Sequence, residues 1–500
     1  MDIINNLLSI KIKNRIKLIQ EAIQNPIEHQ EKILQTHIKN SCNTVFGDKH
    51  RFKKITNYTE YRNLVPISDY ESLKQYIFRA QNNEKNILWP GIVNWFAKSS
   101  GTTQEKSKFI PITQESLKMC HFKAGKDMLS IYLNNYPDSR ILNGKSLMIG
   151  GSTSINKIKS FYSGDLSAII ISNLPTWVQL KRAPSKKTAL LNDWSKKIIQ
   201  IIQETHQQNI TSISGVPSWT IIILNELIKK HGIHCLTECW PNLELYMHGG
   251  INFDNYKNTF HNYFKRRKIN YLELYNASEG FFGIQNEPDK SDLLLLINHG
   301  VFYEFIPVEE GLEKCDKIVS LQNVKLNILY AMVISTNGGL WRYKIGDTIR
   351  FTSITPYKIK IHGRLKSFIN AFGEELHEDN ANQAINYACE ATNSIASEYI
   401  AAPFFYSDKS GCHEWVIEFT SPPNDLIKFN ESLDTKLKEL NSDYEAKRFK
   451  SILLKPPIIH FARKNFFYNI LKTKNKIGGQ NKIKRLYNDR KFIEELIEKL

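Results

Sequence analysis

Residues 98–108 read Lys98-Ser99-Ser100-Gly101-Thr102-Thr103-Gln104-Glu105-Lys106-Ser107-Lys108, an unbroken row of hydroxyls around a glycine. Such a row suits a loop whose backbone N–H groups and hydroxyls wrap phosphate oxygens. Lys108 would add a point charge on the same phosphates. The GxxxxGK[ST] spacing is missing, so this is not a Walker A loop. A solvated Ser/Thr loop between strands is the plain alternative.

Four further segments carry groups of the same kind. Tyr275-Asn276-Ala277-Ser278-Glu279-Gly280-Phe281-Phe282-Gly283 follows the strand-like run 271–274. A carboxylate at a strand end sits where α/β sheets put ligands, and Glu279 there would hold Mg²⁺ beside triphosphate oxygens. Leu340-Trp341-Arg342-Tyr343-Lys344-Ile345-Gly346-Asp347 is followed by Gly363-Arg364. An Asp at a strand end accepts from two ribose hydroxyls, and an Arg some way on can reach ribose or phosphate; a surface ion pair on a hairpin is the alternative. His248-Gly249-Gly250 would let a flat base approach the backbone. Lys476-Ile477-Gly478-Gly479-Gln480-Asn481-Lys482 would deliver a cation on a mobile loop to a developing anion. When each stands alone, a turn glutamate is the better reading of the Glu279 segment and a basic tail of the Lys482 segment.

These groups need a scaffold. Residues 1–80 carry apolar side chains three and four apart, which predicts helices, with Ile3, Ile4, Leu7 and Leu8 on one docked face. Short strand-like runs cover 92–96 and 146–149. Helical patterns at 193–206 and 217–231 flank a strand-like 210–213. Residues 292–306 run apolar and read as strand. Asn337-Gly338-Gly339 marks a turn between two strands over 326–351. A helix over 375–393, a strand over 412–420 and an amphipathic C-terminal helix bearing Ile493, Leu496, Ile497 and Leu500 follow. Strands alternating with helices place the chain in the α/β class.

The bulk properties narrow the choice. The chain has 500 residues, enough for a large domain and a small one, and 41% of them are hydrophobic. It shows no apolar run of membrane-spanning length, and its short, Asn- and Ser-broken first stretch is not expected to be a secretory leader. Cys42, Cys120, Cys235, Cys239, Cys315, Cys389 and Cys412 are scattered without a CxxC pair, which reads as reduced cytoplasmic thiols rather than a metal site. The net charge of +17 comes from lysines spread along the whole chain. That distribution argues against a dedicated nucleic-acid surface and for a positive field attracting ATP and acids.

In their order along the chain, the motifs resemble the adenylate-forming superfamily, and more narrowly the Gretchen Hagen (auxin-responsive promoter) family of acyl-acid amido synthetases. Asn370-Ala371-Phe372-Gly373-Glu374-Glu375-Leu376 and Ser214-Gly215-Val216-Pro217-Ser218-Trp219 add to the match, which runs from about residue 40 to 490. The resemblance implies an adenylate-forming α/β fold. A large multi-layer N-terminal domain over 1–364 would bind ATP and acid, and a small mobile α/β domain over 365–500 would swing on a hinge near Leu365-Lys366. It further implies ATP and Mg²⁺. Ser99, Ser100, Gly101, Thr102, Thr103 and Lys108 would hold phosphates, and Gly249 and Gly250 would flank adenine. Tyr275 would stack near the base, Ser278 would approach the α-phosphate and Glu279 would hold the metal. Tyr343, Asp347 and Arg364 would lie at the ribose, and Lys482 would be the mobile-domain lysine. Trp219 and Phe281 are candidate liners of the acyl pocket. The chain departs from the family pattern at Glu105 and Ser107, where Gly and Pro are common, and lacks a proline near Lys484.

The implied activity is two-step: a carboxylic acid becomes its acyl-AMP with release of pyrophosphate, then the acyl group passes to an amine, an amino acid foremost. The implied partners are small molecules, with no nucleic acid, no membrane and a monomeric, cytoplasmic protein. Transfer to coenzyme A and non-catalytic nucleotide or RNA binding on the same scaffold stand as alternatives. Thiol-dependent turnover would mark the first. ATP bound but never cleaved, with steep salt dependence, would mark the second.

Overall fold

A computed structural model describes residues 9–100, 107–150, 155–158, 160–191, 193–250, 253–264, 268–309, 312–364, 368–408, 410–464, 466–473 and 485–500. Two compact units emerge: Met1–Ser99 with Phe109–Leu365, and Ser100–Lys108 with Lys366–Leu500. Among the described residues no helix is long and apolar enough to cross a membrane, and no cluster of His, Cys, Asp and Glu could hold a metal. Ile3, Ile4, Leu7 and Leu8 lie outside the described residues.

In chain order the first unit's strands are β1 (Trp95–Ser100), β2 (Ser107–Ile112), β3 (Lys145–Met148), β4 (Asn156–Ile158), β5 (Phe161–Gly164), β6 (Arg182–Ala183), β7 (Ile210–Ser214), β8 (Leu245–Gly249) and β9 (Asn270–Ala277). They continue as β10 (Gly280–Ile284), β11 (Leu293–Leu295), β12 (Val301–Glu309), β13 (Leu312–Glu313), β14 (Val319–Ser320), β15 (Leu329–Thr336), β16 (Tyr343–Ile354) and β17 (Tyr357–Arg364). One large sheet runs in the order β13-β12-β15-β16-β17-β11-β10-β9-β8-β7-β3-β6, with β14 beside β12.

One end of this sheet, from β9 to β6, is parallel and the larger remainder antiparallel, for a reason visible in the connections. Strands β7, β8 and β9 pair parallel, and parallel pairs need long crossovers. The helices Pro217–His231 and Asp254–Phe264 supply them. Pro217 opens the first of these at a helix start, where a missing N–H costs nothing, and Gly232 ends it at φ +62°. Residues 210–213 and 245–248 are buried without a break, as strands of a covered parallel sheet are. Only two residues, Ser278 and Glu279, join β9 to β10, so the chain must turn back antiparallel there.

The antiparallel half is tied to the N-terminal helices through one tryptophan. Trp341 is fully buried, packs against Phe46, Phe52 and Trp89, and donates its indole N–H to the Leu88 carbonyl at 3.0 Å. A Cβ on Gly339 would meet Leu88 at 2.8 Å, and its φ is +88°, so the turn before Trp341 admits glycine alone. His37 sits edge-on to Trp89 and Trp341.

In the second unit β18 (Phe368–Ile369) pairs with β19 (Leu376–His377), and β20 (Ile395–Phe405), β21 (Gly411–Ser421) and β22 (Ile458–Ala462) form a second sheet. Fully buried Glu374 accepts from the Phe372 N–H at 2.7 Å and faces His413 Nε2 at 2.9 Å, which pins the 370–376 segment to β21.

Three expectations shift. The apolar run 292–306 is two strands, because His299-Gly300 turns the chain with Gly300 at φ +69°. The strand expected over 92–96 starts only at Trp95. In the C-terminal helix Ile493 and Leu496 are buried while Leu500 is exposed, since the helix ends at Ile497.

Burial lowers the imidazole of His37 to about 4, of His121 to about 4 and of His248 to about 3, from 6.5. Between those values the unfolded chain binds more protons than the folded one, so stability falls as pH falls through that window. Thermal unfolding should therefore show Tm dropping from pH 7 to pH 5, above the carboxylate range. A flat profile would mean that the folded chain accommodates the charged imidazoles.

Candidate functional site

The parallel strands β8 and β9 end together. Gly249, the last residue of β8, pairs with Leu274. A Cβ there would lie 2.3 Å from the Leu274 carbonyl oxygen, and Gly250 follows at φ +83°. The glycine pair is thus required by the chain's own packing, and it leaves this sheet edge without side chains. Its neighbour His248 is buried and stacks on Phe253 at 3.9 Å; burial keeps its ring neutral, so it brings no charge to the edge.

One residue beyond Leu274, the Tyr275 hydroxyl donates to Asp347 Oδ2 at 2.6 Å. The two strands stand four steps apart in the sheet, as β9-β10-β11-β17-β16. Four steps span about 19 Å in a flat sheet, so the contact exists only because the sheet curls. The Tyr275 ring is buried and meets Phe282 edge-on at 5.1 Å.

Asp347 was expected at a strand end; instead it lies within β16, in a bulge. Lys344 pairs with Val333 and Thr348 with Ala331, so Ile345, Gly346 and Asp347 all stand against Met332. Gly346 takes φ +89° in open space, and this re-aims the half-buried Asp347. Arg364 is the strand partner of Asp347 on β17, a placement set by the hairpin that joins the two strands at Thr355-Pro356. Lys344, three residues before Asp347, contacts Glu313 of β13 through Nζ at 2.7 Å. Tyr343 is almost wholly buried in the main core and bridges Ser68.

Ser278 and Glu279 form the tip of the β9–β10 hairpin, both half-buried, at the carboxyl end of the parallel strands. The fold thus gathers Gly249, Gly250, Tyr275, Ser278, Glu279, Asp347 and the backbone of Arg364 around one edge. Two half-buried carboxylates, Glu279 and Asp347, are among them.

Ser99 and Lys108 are half-buried residues of β1 and β2. Ser100 is the last residue of β1, and Gly101, Thr102 and Thr103 lie outside the described residues, as does Lys482. Trp219 is buried near the start of the Pro217–His231 helix. Phe281 is buried in the main core and donates its N–H to Cys120 Sγ at 3.2 Å. Sequence reasoning assigned no role to Arg342 or Glu304, which form a buried ion pair at the entry to β16. Their separation of 38 residues leaves no local signal.

Models of the GH3 family match the chain as its N-terminal domain over 15–269, its central domain over 294–364 and its C-terminal domain over 379–491. The chain belongs to the GH3 family. Among its relatives are the indole-3-acetic acid-amido synthetase GH3.2 of Arabidopsis thaliana, 23% identical over 67% of this chain and 73% of that one. The jasmonoyl-L-amino acid synthetase JAR4 of Nicotiana attenuata is 22% identical over 64% and 66%. Among solved structures, the acyl acid amido synthetase AtGH3.15 in complex with 2,4-DB covers 97% of this chain and 96% of its own at TM-score 0.63 and 17% identity. A 2-hydroxyisobutyryl-CoA ligase covers 96% and 93% at TM-score 0.58 and 11% identity. At these identities the structural likeness establishes the fold, which is that of adenylate-forming enzymes.

The two glycines of the site should respond differently to a methyl group. Gly249→Ala forces Cβ into a carbonyl and should cost about 1–3 kcal/mol or more, as overpacking does. Gly346→Ala meets nothing and should cost only the roughly 1–2 kcal/mol of a left-handed backbone. Denaturant unfolding of both variants checks the order; a larger loss at Gly346 would contradict it.

Proposed function

We propose that this GH3 chain is an ATP-dependent acyl-acid amido synthetase that forms an acyl-AMP and transfers the acyl group to an amino acid or another amine. Membership of a family whose named relatives are acid–amino acid ligases supports the reaction class. The observation that carries the site is the Tyr275–Asp347 contact beside the glycine edge and the Glu279 hairpin tip.

On this reading Gly249 and Gly250 give the adenine a flank free of side chains. Asp347 accepts from the ribose hydroxyls, its carboxylate aimed by the bulge and by the Tyr275 O–H. Arg364, opposite Asp347 in the ladder, reaches the nucleotide from β17. Ser99 to Thr103 and Lys108 wrap the phosphates, and Ser278 approaches the α-phosphate. A half-buried carboxylate on a hairpin tip fits Mg²⁺, which keeps several waters and takes one or two carboxylates. When bound at Glu279, that ion neutralises phosphate charge.

In the first step an oxygen of the acid attacks the α-phosphorus and the bond to pyrophosphate breaks. The acid is already ionised at neutral pH, so the chain needs no base here. Positioning and charge stabilisation by Lys108 and Lys482 lower the barrier. In the second step the amine nitrogen attacks the acyl carbonyl, the bond to AMP breaks and the amine gives up a proton. Rotation of the unit after residue 365 would separate the two steps.

The test is acid-dependent exchange of labelled pyrophosphate into ATP across aromatic, indolic and aliphatic acids, followed by amide detection with amino acids. Exchange plus amide is the expected result. Turnover with coenzyme A in place of an amine would shift the assignment to a thioester ligase. Binding of ATP without exchange for any acid would count against catalysis.

Glu279→Ala and Asp347→Ala should each nearly abolish exchange. Lys482→Ala should impair exchange far more than amide formation from supplied acyl-AMP; the reverse pattern would remove that lysine from the first step.

A further inference from the structure

Arg342 is held in a conformation that arginine avoids. Its φ is +44°, in the left-handed region. Such a residue persists only where its surroundings over-determine it, and such surroundings cluster at working sites. Here the determination is visible group by group. The guanidinium meets Glu304 as a fork, Nε to Oε2 and Nη2 to Oε1, both at 2.8 Å. Nη1 donates to the carbonyls of Arg62 at 2.9 Å and Val65 at 2.7 Å. The Arg342 backbone N–H donates to Ser335 Oγ at 3.0 Å, and its carbonyl accepts from the Ser68 N–H at 2.9 Å. Both residues of the pair are at most 3% exposed.

The partners are held in turn. Tyr58 donates its hydroxyl to Glu304 Oε1 at 2.9 Å, and the Tyr61 hydroxyl lies 2.6 Å from Ser335 Oγ. Ser68 brackets the residue: its Oγ donates to the Trp341 carbonyl at 2.6 Å and its own carbonyl accepts from the Lys344 N–H at 2.9 Å. The segment 341–344 is therefore fixed on both flanks just before the bulge that carries Asp347.

We infer that the Glu304–Arg342 pair is a positioning device that sets the path of β16 into its bulge, and so the aim of the Asp347 carboxylate at the nucleotide ribose. This rests on the reading that Asp347 takes the ribose hydroxyls. A buried ion pair contributes little net stability compared with an apolar pair of the same volume. This one holds a disfavoured backbone at the entry to a bulge whose only gain is the direction of one side chain. Relaxing residue 342 to negative φ would swing residues 343–347 out of register against Ala331–Val333. Arg342 and Glu304 act through Asp347.

The experiment compares pyrophosphate exchange with ATP and with 2′-deoxy-ATP and 3′-deoxy-ATP, in the full chain, for wild type, Asp347→Asn, Glu304→Gln, Arg342→Lys and the double variant Glu304→Gln/Asp347→Asn. Wild type should prefer ATP, and Asp347→Asn should lose that preference. Glu304→Gln should raise KM for ATP about tenfold, the factor one charge-assisted hydrogen bond carries, with kcat little changed and the preference for ATP reduced. Arg342→Lys should not rescue, because an ammonium cannot make the fork. The double variant should be no worse than Asp347→Asn.

If either pair variant fails to fold, Ser335→Ala, which removes the acceptor of the Arg342 N–H and the partner of the Tyr61 hydroxyl but leaves the ion pair itself in place, should still raise KM for ATP in the same direction. A Glu304→Gln or Ser335→Ala protein with lowered Tm but unchanged KM and unchanged ribose preference would overturn the proposal and leave a purely structural pair. If Asp347→Asn itself keeps the preference, the ribose reading fails first, and the positioning role falls with it.

Discussion

The curl of the large sheet is the constraint on which the site depends. Tyr275 and Asp347 belong to strands four steps apart, yet hydroxyl and carboxylate touch at 2.6 Å. A flat sheet would hold them about 19 Å apart. Right-handed twist accumulated across the strands, together with bulges in β16 and β10, brings the antiparallel half round toward the ends of the parallel half. Remove the curl and the candidate nucleotide edge has no carboxylate for the ribose, whatever residues the strands carry.

That curl creates backbone that only particular residues tolerate, and the chain supplies them. Gly249 lies against the Leu274 carbonyl and Gly346 turns the bulge. Arg342 is a left-handed residue with a side chain, retained where its guanidinium makes four hydrogen bonds within the protein. The N-terminal segment 58–68, a helix over Tyr58–Leu64 and the extended residues after it, supplies the counterparts: the Arg62 and Val65 carbonyls, the Tyr58 and Tyr61 hydroxyls, and the backbone and hydroxyl of Ser68. A region that reads in sequence as plain amphipathic helix thus supports a strand some 280 residues later.

The net charge of +17 fits this picture without directing it. Lysines spread over the surface raise the local concentration of anionic substrates. The geometry of selection belongs to a few short contacts, and the nearest histidine to the glycine edge is held neutral by burial.

Much was legible in the residues themselves. Helical periodicity located Pro217–His231, a buried apolar run located β7, and Asn337-Gly338-Gly339 announced its turn, because these depend on neighbours three or four positions away. The motifs, taken in order, disclosed the family and its chemistry. Tertiary structure alone decided that Asp347 sits in a bulge and not at a strand end, that Tyr275 reaches it, and that Gly249 answers to a carbonyl on β9. It alone paired Glu304 with Arg342. Spacing along a chain encodes local conformation, whereas curl, register and buried charge pairs are settled only when distant strands meet.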